Sequence, residues 1–244
     1  MNVLFRPLLG ATLLAAAFLP AARAAFGDED NGGIVIHQDT GRVLVFPPKL
    51  LAEGVPSGEV EVVISVDAKG QLSDVLPVGY TNPEFAEAVV TALKTWSYEP
   101  ARFHDRPVAS RVDLKISFKS EVSVMVINLG WHYWERMSGD WSHYAFKAFK
   151  LGDLDKIPTP VQTPRPLLPK SEANSTRAHN VTVEFFIDED GKVRVPTVDR
   201  DEADNVYAAA AVAAVEQWRF EPPVRRGRPV LVIAQQEFNF RPKQ

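Results

Sequence analysis

The sequence of 244 residues contains no cysteine, and its basic residues do not outnumber its acidic ones. Without cysteine there is no disulfide framework and no thiol chemistry, so an oxidising compartment neither stabilises nor damages the chain. Lysine and arginine number 27 against 31 aspartate and glutamate residues, which gives a formal net charge of −4. This balance provides no electrostatic reason to bind nucleic acid or anionic lipid, so we expect no nucleic-acid partner.

The N-terminal segment lacks a hydrophobic run long enough to span a membrane. Its apolar stretch from Leu8 to Phe18 falls short of the about 20 residues that a spanning helix needs. Arg6 precedes this stretch, and Ala22-Arg23-Ala24 follows it as a small-x-small cleavage motif. We predict a signal peptide at residues 1–24, cleavage before Ala25 and export to the periplasm. The alternative is an uncleaved segment that anchors the protein in the inner membrane, facing the periplasm.

Motifs for catalysis and metal binding are also missing from the sequence. The five histidines show no metal-ligand spacing such as H-E-x-x-H. The chain contains neither a nucleophile elbow nor a phosphate-binding loop. We therefore expect a protein that is not an enzyme and that has no catalytic residues, no cofactor and no metal.

What the sequence does contain is an internal repeat with an offset of 122 residues. One copy reads W-S-Y-E-P-A-R-F-H-D-R-P-V from Trp96, and the other reads W-R-F-E-P-P-V-R-R-G-R-P-V from Trp218. Upstream, V-V-I-S-V-D-A-K-G-Q-L from Val62 matches V-E-F-F-I-D-E-D-G-K-V from Val183. Such a repeat predicts two copies of one structural unit. The predicted boundaries are 45–118 for the first unit, 119–163 for an aromatic-rich and proline-rich connector, and 164–240 for the second unit.

Each unit begins with the pattern of a β-hairpin. Apolar residues alternate with other residues from Glu59 to Val66 and from Val181 to Asp188, which is the period of a strand with one buried face. Gly70 and Gly191 then lie where a tight hairpin turn needs positive φ. A second antiparallel strand is therefore expected after each glycine.

A helix and a last strand complete each unit. Asn82-Pro83 is a helix-start signal, and an apolar stripe runs from there to Trp96. The second unit repeats the stripe up to Trp218, and we expect both tryptophans to be buried core anchors. The predicted fold class is therefore α+β, with two tandem units of strand, strand, helix and strand. Each unit is expected to be a small antiparallel sheet with one helix packed on it.

These residues resemble the TonB C-terminal domain family in both units. In the first unit, G-E-V-E-V-V-I-S-V-D-A-K-G-Q-L from Gly58 precedes a helix that ends in T-W-S-Y-E-P-A and a strand that ends in K-I-S-F. The second unit matches from Val181 through Q-W-R-F-E-P-P, but has His179 where the first has Gly58. The segment from Leu154 to Pro169 is similar to the proline-rich lead-in of such domains. The resemblance implies an energy-transducer, TonB-like protein with two tandem copies of the domain.

The family resemblance also implies a binding mode and a partner. The edge strand of such a domain captures a short peptide of an outer-membrane TonB-dependent receptor, because a strand edge offers unpaired N–H and C=O groups. Candidate edges here are residues 111–118 and 233–240, and we expect the first to bind better because it alternates more cleanly. A proline at Lys115 should abolish binding if its N–H faces the edge. The predicted partner-binding edge consists of Arg111, Val112, Asp113, Leu114, Lys115, Ile116, Ser117 and Phe118.

Two functions remain open from the sequence. In the first, the protein supports transport across the outer membrane by binding the receptor peptide, and meets the inner-membrane motor complex only if its N-terminal segment is retained. In the second, it is an envelope scaffold or binding module for peptidoglycan or protein, without coupling to energy transduction.

The connector between the units is rich in aromatic residues. Its rings could form a hairpin that packs on or between the units, or a platform that stacks on glycan or grips a peptide. A helix also fits part of the spacing. The candidate platform residues are Trp131, Tyr133, Trp134, Trp141 and Tyr144.

Overall fold

The computed structural model describes residues 34–37, 44–120, 123–128, 141–169, 172, 178–198 and 205–240. The predicted signal peptide at residues 1–24 lies outside the described residues, as do three of the five candidate platform residues, Trp131, Tyr133 and Trp134.

The described elements comprise short strands around two larger sheets, with one principal helix in each unit. The helices are α1 (Pro48–Ala52), α2 (Pro83–Leu93) and α3 (Val206–Val215), and a 3₁₀ turn spans Leu151–Asp153. The strands of the first unit are β1 (Val35–His37), β2 (Ser57–Val66), β3 (Leu72–Tyr80), β4 (Ser97–Glu99), β5 (Ala101–Phe103), β6 (Arg106–Val108), β7 (Ser110–Lys119) and β8 (Ser123–Asn128). The connector and the second unit contain β9 (Phe146–Lys147), β10 (Phe149–Lys150), β11 (Pro160–Gln162), β12 (His179–Ile187), β13 (Val193–Thr197), β14 (Arg219–Phe220), β15 (Val224–Arg225), β16 (Arg228–Pro229) and β17 (Val232–Phe240).

The first unit is an antiparallel sheet with α2 packed on one face. β2 and β3 form the predicted hairpin, and Gly70 in the turn has φ of +80°. A Cβ atom there would lie 2.5 Å from the carbonyl oxygen of Tyr98, so the turn requires glycine. The side chain of Asn82 caps α2 by accepting a hydrogen bond of 2.9 Å from the N–H of Glu84. The residues of α2 that are buried against the sheet are Phe85, Ala86, Val89 and Leu93.

The second unit repeats this arrangement around α3. Gly191 takes the hairpin turn with φ of +79°, and the Asn205 side chain caps α3 by accepting a hydrogen bond from the N–H of Tyr207. Trp96 and Trp218 are 7% and 8% exposed, each in the core of its own unit. The order of strand, strand, helix and strand in both units confirms the predicted α+β fold with two tandem copies.

The prediction that residues 111–118 form a free edge is wrong in this structure. The order of the first sheet is β8-β7-β2-β3-β9, so β7 lies between two strands. β8 pairs with it from Asp113 opposite Asn128 to Phe118 opposite Ser123. β8 thus folds back onto β7 and uses the hydrogen-bonding groups that the prediction left open.

The two sheets pack against each other through the faces opposite their helices. Along β2, Val62 and Ile64 point into the core under α2, whereas Val63 contributes to a separate cluster between the units. Phe186 of β12 is fully buried in the same cluster. The layers are therefore α2, first sheet, second sheet and α3. The buried members of the cluster are Val63, Leu76, Val78, Trp141, Ala148, Phe186, Val195, Leu231 and Ile233.

An ion-pair group with little exposure joins the sheets beside this cluster. The guanidinium of Arg111 on β7 lies 2.6 Å from Glu184 on β12 and 3.4 Å from Asp113. The Arg111 side chain is only 3% exposed, and its guanidinium lies over the ring of Phe186 at 5.8 Å. The sequence analysis had assigned Arg111 and Asp113 to the partner-binding edge, whereas the structure buries both side chains between the units.

The connector contributes one short strand to each sheet. β9 pairs with β3 of the first unit, and β10 pairs with β17 of the second. Trp141 is 9% exposed in the cluster between the units, and its ring packs on Tyr144 with 4.8 Å between centroids. A ring buried in this way cannot offer a face to a ligand, which corrects the platform prediction for Trp141.

Candidate peptide-binding site

The outer side of β17 in the second unit is the most accessible candidate edge. β17 pairs with β12 along its whole length, whereas β10 covers its other side only at Val232 and Ile233. Among the described residues, no strand pairs with this side between positions 234 and 240. Of the two candidate edges, the one expected to bind a peptide less well is therefore the one that is open among these residues.

The β10 contact shows which main-chain groups face outward. The N–H of Phe149 donates to the carbonyl oxygen of Leu231 at 2.9 Å, so the main-chain groups of Leu231 point away from β12. Main-chain groups of successive residues in a strand point to opposite sides, and the pairing of β17 with β12 has no register shift. Those of Gln235 and Glu237 consequently face outward. The side chain of Gln236 donates from Nε2 to the carbonyl oxygen of Glu237 at 2.7 Å, as expected of an acceptor that no strand uses.

An apolar groove lies beside this edge, on the face of β17 that carries α3. Its volume is ≈ 670 Å³, within the range of pockets that hold ligands. Its aromatic surface consists of Phe220, Phe238 and Phe240, and the buried ring of Trp218 packs against two of them, with centroid distances of 5.5 Å to Phe238 and 6.1 Å to Phe220. Phe220, Phe238 and Phe240 are half-buried, so their rings are open to a ligand on one side.

The proline-rich lead-in forms the opposite wall of the groove. β11 pairs with β14, and the indole N–H of Trp218 donates to the carbonyl oxygen of Pro164 at 3.0 Å. The N–H of Glu221 likewise donates to the carbonyl oxygen of Thr159 at 2.9 Å. Proline fixes φ and cannot donate, which keeps this segment extended along the second unit. Its apolar side chains Ile157, Val161 and Leu167 are 69%, 70% and 88% exposed.

Few charges surround this groove. Arg165, on the lead-in wall, is the only charged residue that lines it among the described residues, and its side chain is exposed. On the outer surface of the same wall, Lys156 lies 3.2 Å from Glu221. Hydrogen bonds from Thr159 and Lys156 lower the pKa of Glu221 below its ordinary value, so Glu221 is ionised at neutral pH.

The predicted edge residues of the first unit lie in a different environment. Lys115 is opposite Glu61 on β2 and Val126 on β8, so its main chain lies inside the sheet. Its side chain lies 3.0 Å from Glu59, which also accepts a hydrogen bond of 3.0 Å from the Tyr144 hydroxyl. Burial opposes ionisation of Glu59, but the bonds from Lys115 and Tyr144 outweigh it and lower the pKa. The Tyr144 hydroxyl is thus part of a polar cluster with Glu59 and Lys115 on the first sheet.

Sequence reasoning found the second edge but missed the groove beside it. The segment from Leu154 to Pro169 was interpreted only as a proline-rich lead-in, although it carries apolar residues between its prolines. Ile157, an exposed apolar residue next to Pro158 in this lead-in, lines the groove and is the residue that could have pointed to it.

In the described part of the chain, no group of three or more histidine, aspartate or glutamate residues could hold a metal ion. None of its helices has the length and apolarity needed to cross a bilayer.

The comparison with family models identifies both units. The model described as Gram-negative bacterial TonB protein C-terminal matches residues 44–120 and again residues 164–242. The two matches cover more than half of the chain and confirm the resemblance predicted from the repeated tryptophan motif. A search of curated proteins found no match.

Proposed function

Because the chain belongs to the family of the Gram-negative bacterial TonB protein C-terminal domain, we propose that it binds the periplasmic peptide of an outer-membrane receptor along β17. The family has TonB-like roles in energy transduction, and its domains interact with outer-membrane receptors and are not enzymes. The proposal for this chain is narrower, since it names one strand of one unit. In it, the protein supports transport across the outer membrane from the periplasm and catalyses no reaction.

The open side of β17 is the observation that carries this proposal. Gln235 and Glu237 each direct an N–H and a C=O outward, so an extended peptide can add a strand there. The carbonyl oxygen of Glu237 would exchange its bond from Gln236 for one from the peptide. Each main-chain hydrogen bond contributes only about 0.5–1.5 kcal/mol net, and association has its own entropic cost. Binding should therefore be weak and transient.

A proline scan of the two candidate edges tests the site. Glu237→Pro removes an outward donor from an edge strand, which tolerates proline, so the protein should stay folded and lose receptor-peptide binding. Glu237→Ala is the matched control, because it removes the side chain and keeps the N–H. Titration of labelled N-terminal receptor peptides by fluorescence anisotropy measures both, with circular dichroism to check the fold. Full binding by the folded Glu237→Pro variant would refute the proposed site.

The same substitution in the first unit should behave differently. Lys115 is paired on both sides, so proline there breaks a ladder inside the sheet. We expect Lys115→Pro to unfold the first unit. The sequence alone had instead suggested a protein that stays folded and no longer binds the peptide. A cooperative loss of structure, measured by circular dichroism, distinguishes these outcomes.

Localisation is tested separately. Intact-mass analysis of the natively expressed protein should give a chain that begins at Ala25, in agreement with a cleaved signal and a periplasmic protein. A mass that includes residues 1–24 would instead indicate an anchored protein that can meet the inner-membrane motor. If the folded chain binds no receptor peptide, the envelope-scaffold alternative, with peptidoglycan or another protein as ligand, replaces this proposal.

A further inference from the structure

The β15–β16 hairpin of the second unit concentrates positive charge at one exposed turn. Arg225, Arg226 and Arg228 lie within four consecutive residues. Arg226 and Gly227 form the turn with φ of +51° and +74°, and positive φ at both central positions is typical of a tight two-residue hairpin turn. Arg226, Gly227 and Arg228 are all exposed. The hairpin therefore presents a compact group of guanidinium groups to its surroundings.

Arg225 has a structural role within the second unit. Its Nε donates to the carbonyl oxygen of Asp153 at 3.2 Å, and its guanidinium lies 4.4 Å from the centroid of the Phe149 ring. Across the hairpin, Arg225 is directly opposite Arg228. Like charges in directly opposite positions destabilise a pair of strands, so Arg228 lowers the stability of this hairpin.

Arg226 and Arg228 have no such structural contacts. The side chain of neither forms a hydrogen bond or an ion pair within the described ranges of the chain. The main chain between them is held in place, because the N–H of Gly227 donates to the carboxylate of Asp155 at 3.0 Å. Two guanidinium groups on a fixed turn are thus available to an anionic partner, which such groups bind through paired hydrogen bonds.

The first unit shows that the fold does not require this concentration of charge. Its β5–β6 hairpin pairs in the same register, with Phe103 opposite Arg106. The four residues from Phe103 read F-H-D-R, where the second unit has R-R-G-R. The first unit therefore builds the same hairpin with one arginine and one aspartate at these positions. Charges that lower stability and that the fold does not need are expected at a functional site.

The shape of the hairpin favours an extended surface over a small anion. Its three arginines do not line the groove beside β17, and an exposed turn cannot enclose a small ligand. The net charge of −4 describes the whole chain, whereas at physiological ionic strength charges act over only about 8 Å, so the local cluster determines which partner is attracted. A phospholipid surface offers many phosphates to such a cluster at once.

An exposed apolar residue beside the hairpin also favours a membrane as the partner. Lys156 forms a β-bridge with Val224 at the base of the hairpin, and the next residue, Ile157, is 69% exposed. Basic groups next to an exposed apolar side chain are suited to the interface between lipid headgroups and acyl chains. A purely acidic protein segment would give the apolar side chain no comparable environment.

We propose that the β15–β16 hairpin is a docking site for an anionic phospholipid surface, whose phosphates bind Arg226 and Arg228. The inference goes beyond the proposed function and does not depend on it, because no receptor peptide is required. Only Val230 and Leu231 separate β16 from β17. Docking through the hairpin would therefore hold the second unit, with its open strand edge, against a membrane.

Co-sedimentation with lipid vesicles tests this proposal on the chain as it is processed on native expression. Vesicles of phosphatidylcholine and phosphatidylglycerol in a ratio of about 2:1 supply the anionic surface, and vesicles of phosphatidylcholine alone measure binding that is independent of lipid charge. The double variant Arg226→Asn, Arg228→Gln removes both free charges, and asparagine is well suited to the first position of this turn. We expect it to bind the anionic vesicles about 25-fold less tightly, about fivefold for each charge.

Thermal unfolding of the same variant separates a binding role from a structural one. Because the substitutions remove a like-charge pair across the hairpin, the double variant should be at least as stable as the parent. Arg106→Gln is the matched control, since Arg106 is exposed at the equivalent position of the first unit. This control should bind the anionic vesicles as tightly as the parent does.

Four results would overturn the inference. The first is equal binding of the parent and the double variant to anionic vesicles, and the second is an equal loss in Arg106→Gln. The third is stronger displacement from the vesicles by inorganic phosphate than by chloride at matched ionic strength, which would indicate a site for the free anion. The fourth is arginine-dependent binding to poly-glutamate without binding to vesicles, which would indicate an acidic protein segment as the partner.

Discussion

The ion-pair group between the units gives the most stringent test of how the two copies are joined. Arg111 contacts Glu184 of the other unit at 2.6 Å, and both side chains are at least nine-tenths buried. Asp113, 4% exposed, lies 3.4 Å from the same guanidinium. Arg111→Met removes the cation that lies beside the carboxylates of Glu184 and Asp113, which are both buried away from water. Breaking a buried pair in this way costs about 3–5 kcal/mol, a large share of the stability of a domain.

A second ion pair between the units tests whether burial determines how much stability is lost when an ion pair is broken. Arg194 of β13 contacts Asp74 of β3, also across the two units, but these side chains are 30% and 25% exposed. Water can replace the lost partner there, so Arg194→Met should cost less, on the order of 1 kcal/mol. The triple variant Arg111→Met, Glu184→Gln, Asp113→Asn should recover most of the loss, since neutral groups are easier to bury.

Urea denaturation followed by circular dichroism measures these free energies of unfolding. Hydrogen exchange of β2 and β12 shows whether the units lose protection together, as expected if they fold as one body. Two results would refute the assignment of a buried, stabilising group. One is a free energy of unfolding of Arg111→Met within about 1 kcal/mol of that of the parent; the other is a smaller loss of this free energy in Arg111→Met than in Arg194→Met.

Three further predictions concern the units themselves. Gly191→Ala should cost more than about 2 kcal/mol in thermal or urea unfolding, because φ is +79° and the new Cβ would lie 2.0 Å from the carbonyl oxygen of Phe220; Gly152→Ala, with no neighbour within 4 Å, should be neutral. Glu59→Gln should lower the melting temperature at pH 7, and this effect should shrink as the pH is lowered, because a carboxyl whose pKa is lower in the folded state stabilises the fold above the unfolded pKa and loses that contribution as the pH falls through the folded pKa; an effect that does not change with pH would contradict this. Trp96→Ala should cost about 3–5 kcal/mol in urea unfolding, and a cost below 1 kcal/mol would show that the buried ring is not a core anchor.

Much of each unit could be predicted from sequence because its signals are local. A hairpin needs alternating residues and a glycine such as Gly70, and a helix start needs a cap such as Asn82; these residues act within a few positions of themselves. The repeat provides the same signals a second time, because Gly191 forms the hairpin turn and Asn205 caps the helix of the second unit. The fold and the two tandem copies followed from these patterns, whereas the family followed from the resemblance of the repeated tryptophan motif to known members.

The relation between the units was also encoded, but in a pattern that is easy to misread. Val62-Val63-Ile64 and Phe185-Phe186-Ile187 break the strict alternation of a strand with one buried face. Consecutive apolar residues indicate a strand buried on both sides, and the structure places Val63 and Phe186 between the two sheets. The pattern could have predicted a second buried face, although not what covers it.

The sequence by itself therefore determined the elements of this protein and the order in which each unit uses them. Tertiary structure alone decided which strand edge stays open. Whether a strand edge is paired depends on which other segment of the chain reaches it in space. The sequences of residues 111–118 and 233–240 do not show which segment that is. β8 folds back onto β7, whereas β10 covers only the first two residues of β17, so within the part of the chain that the structure describes the second unit keeps the accessible edge.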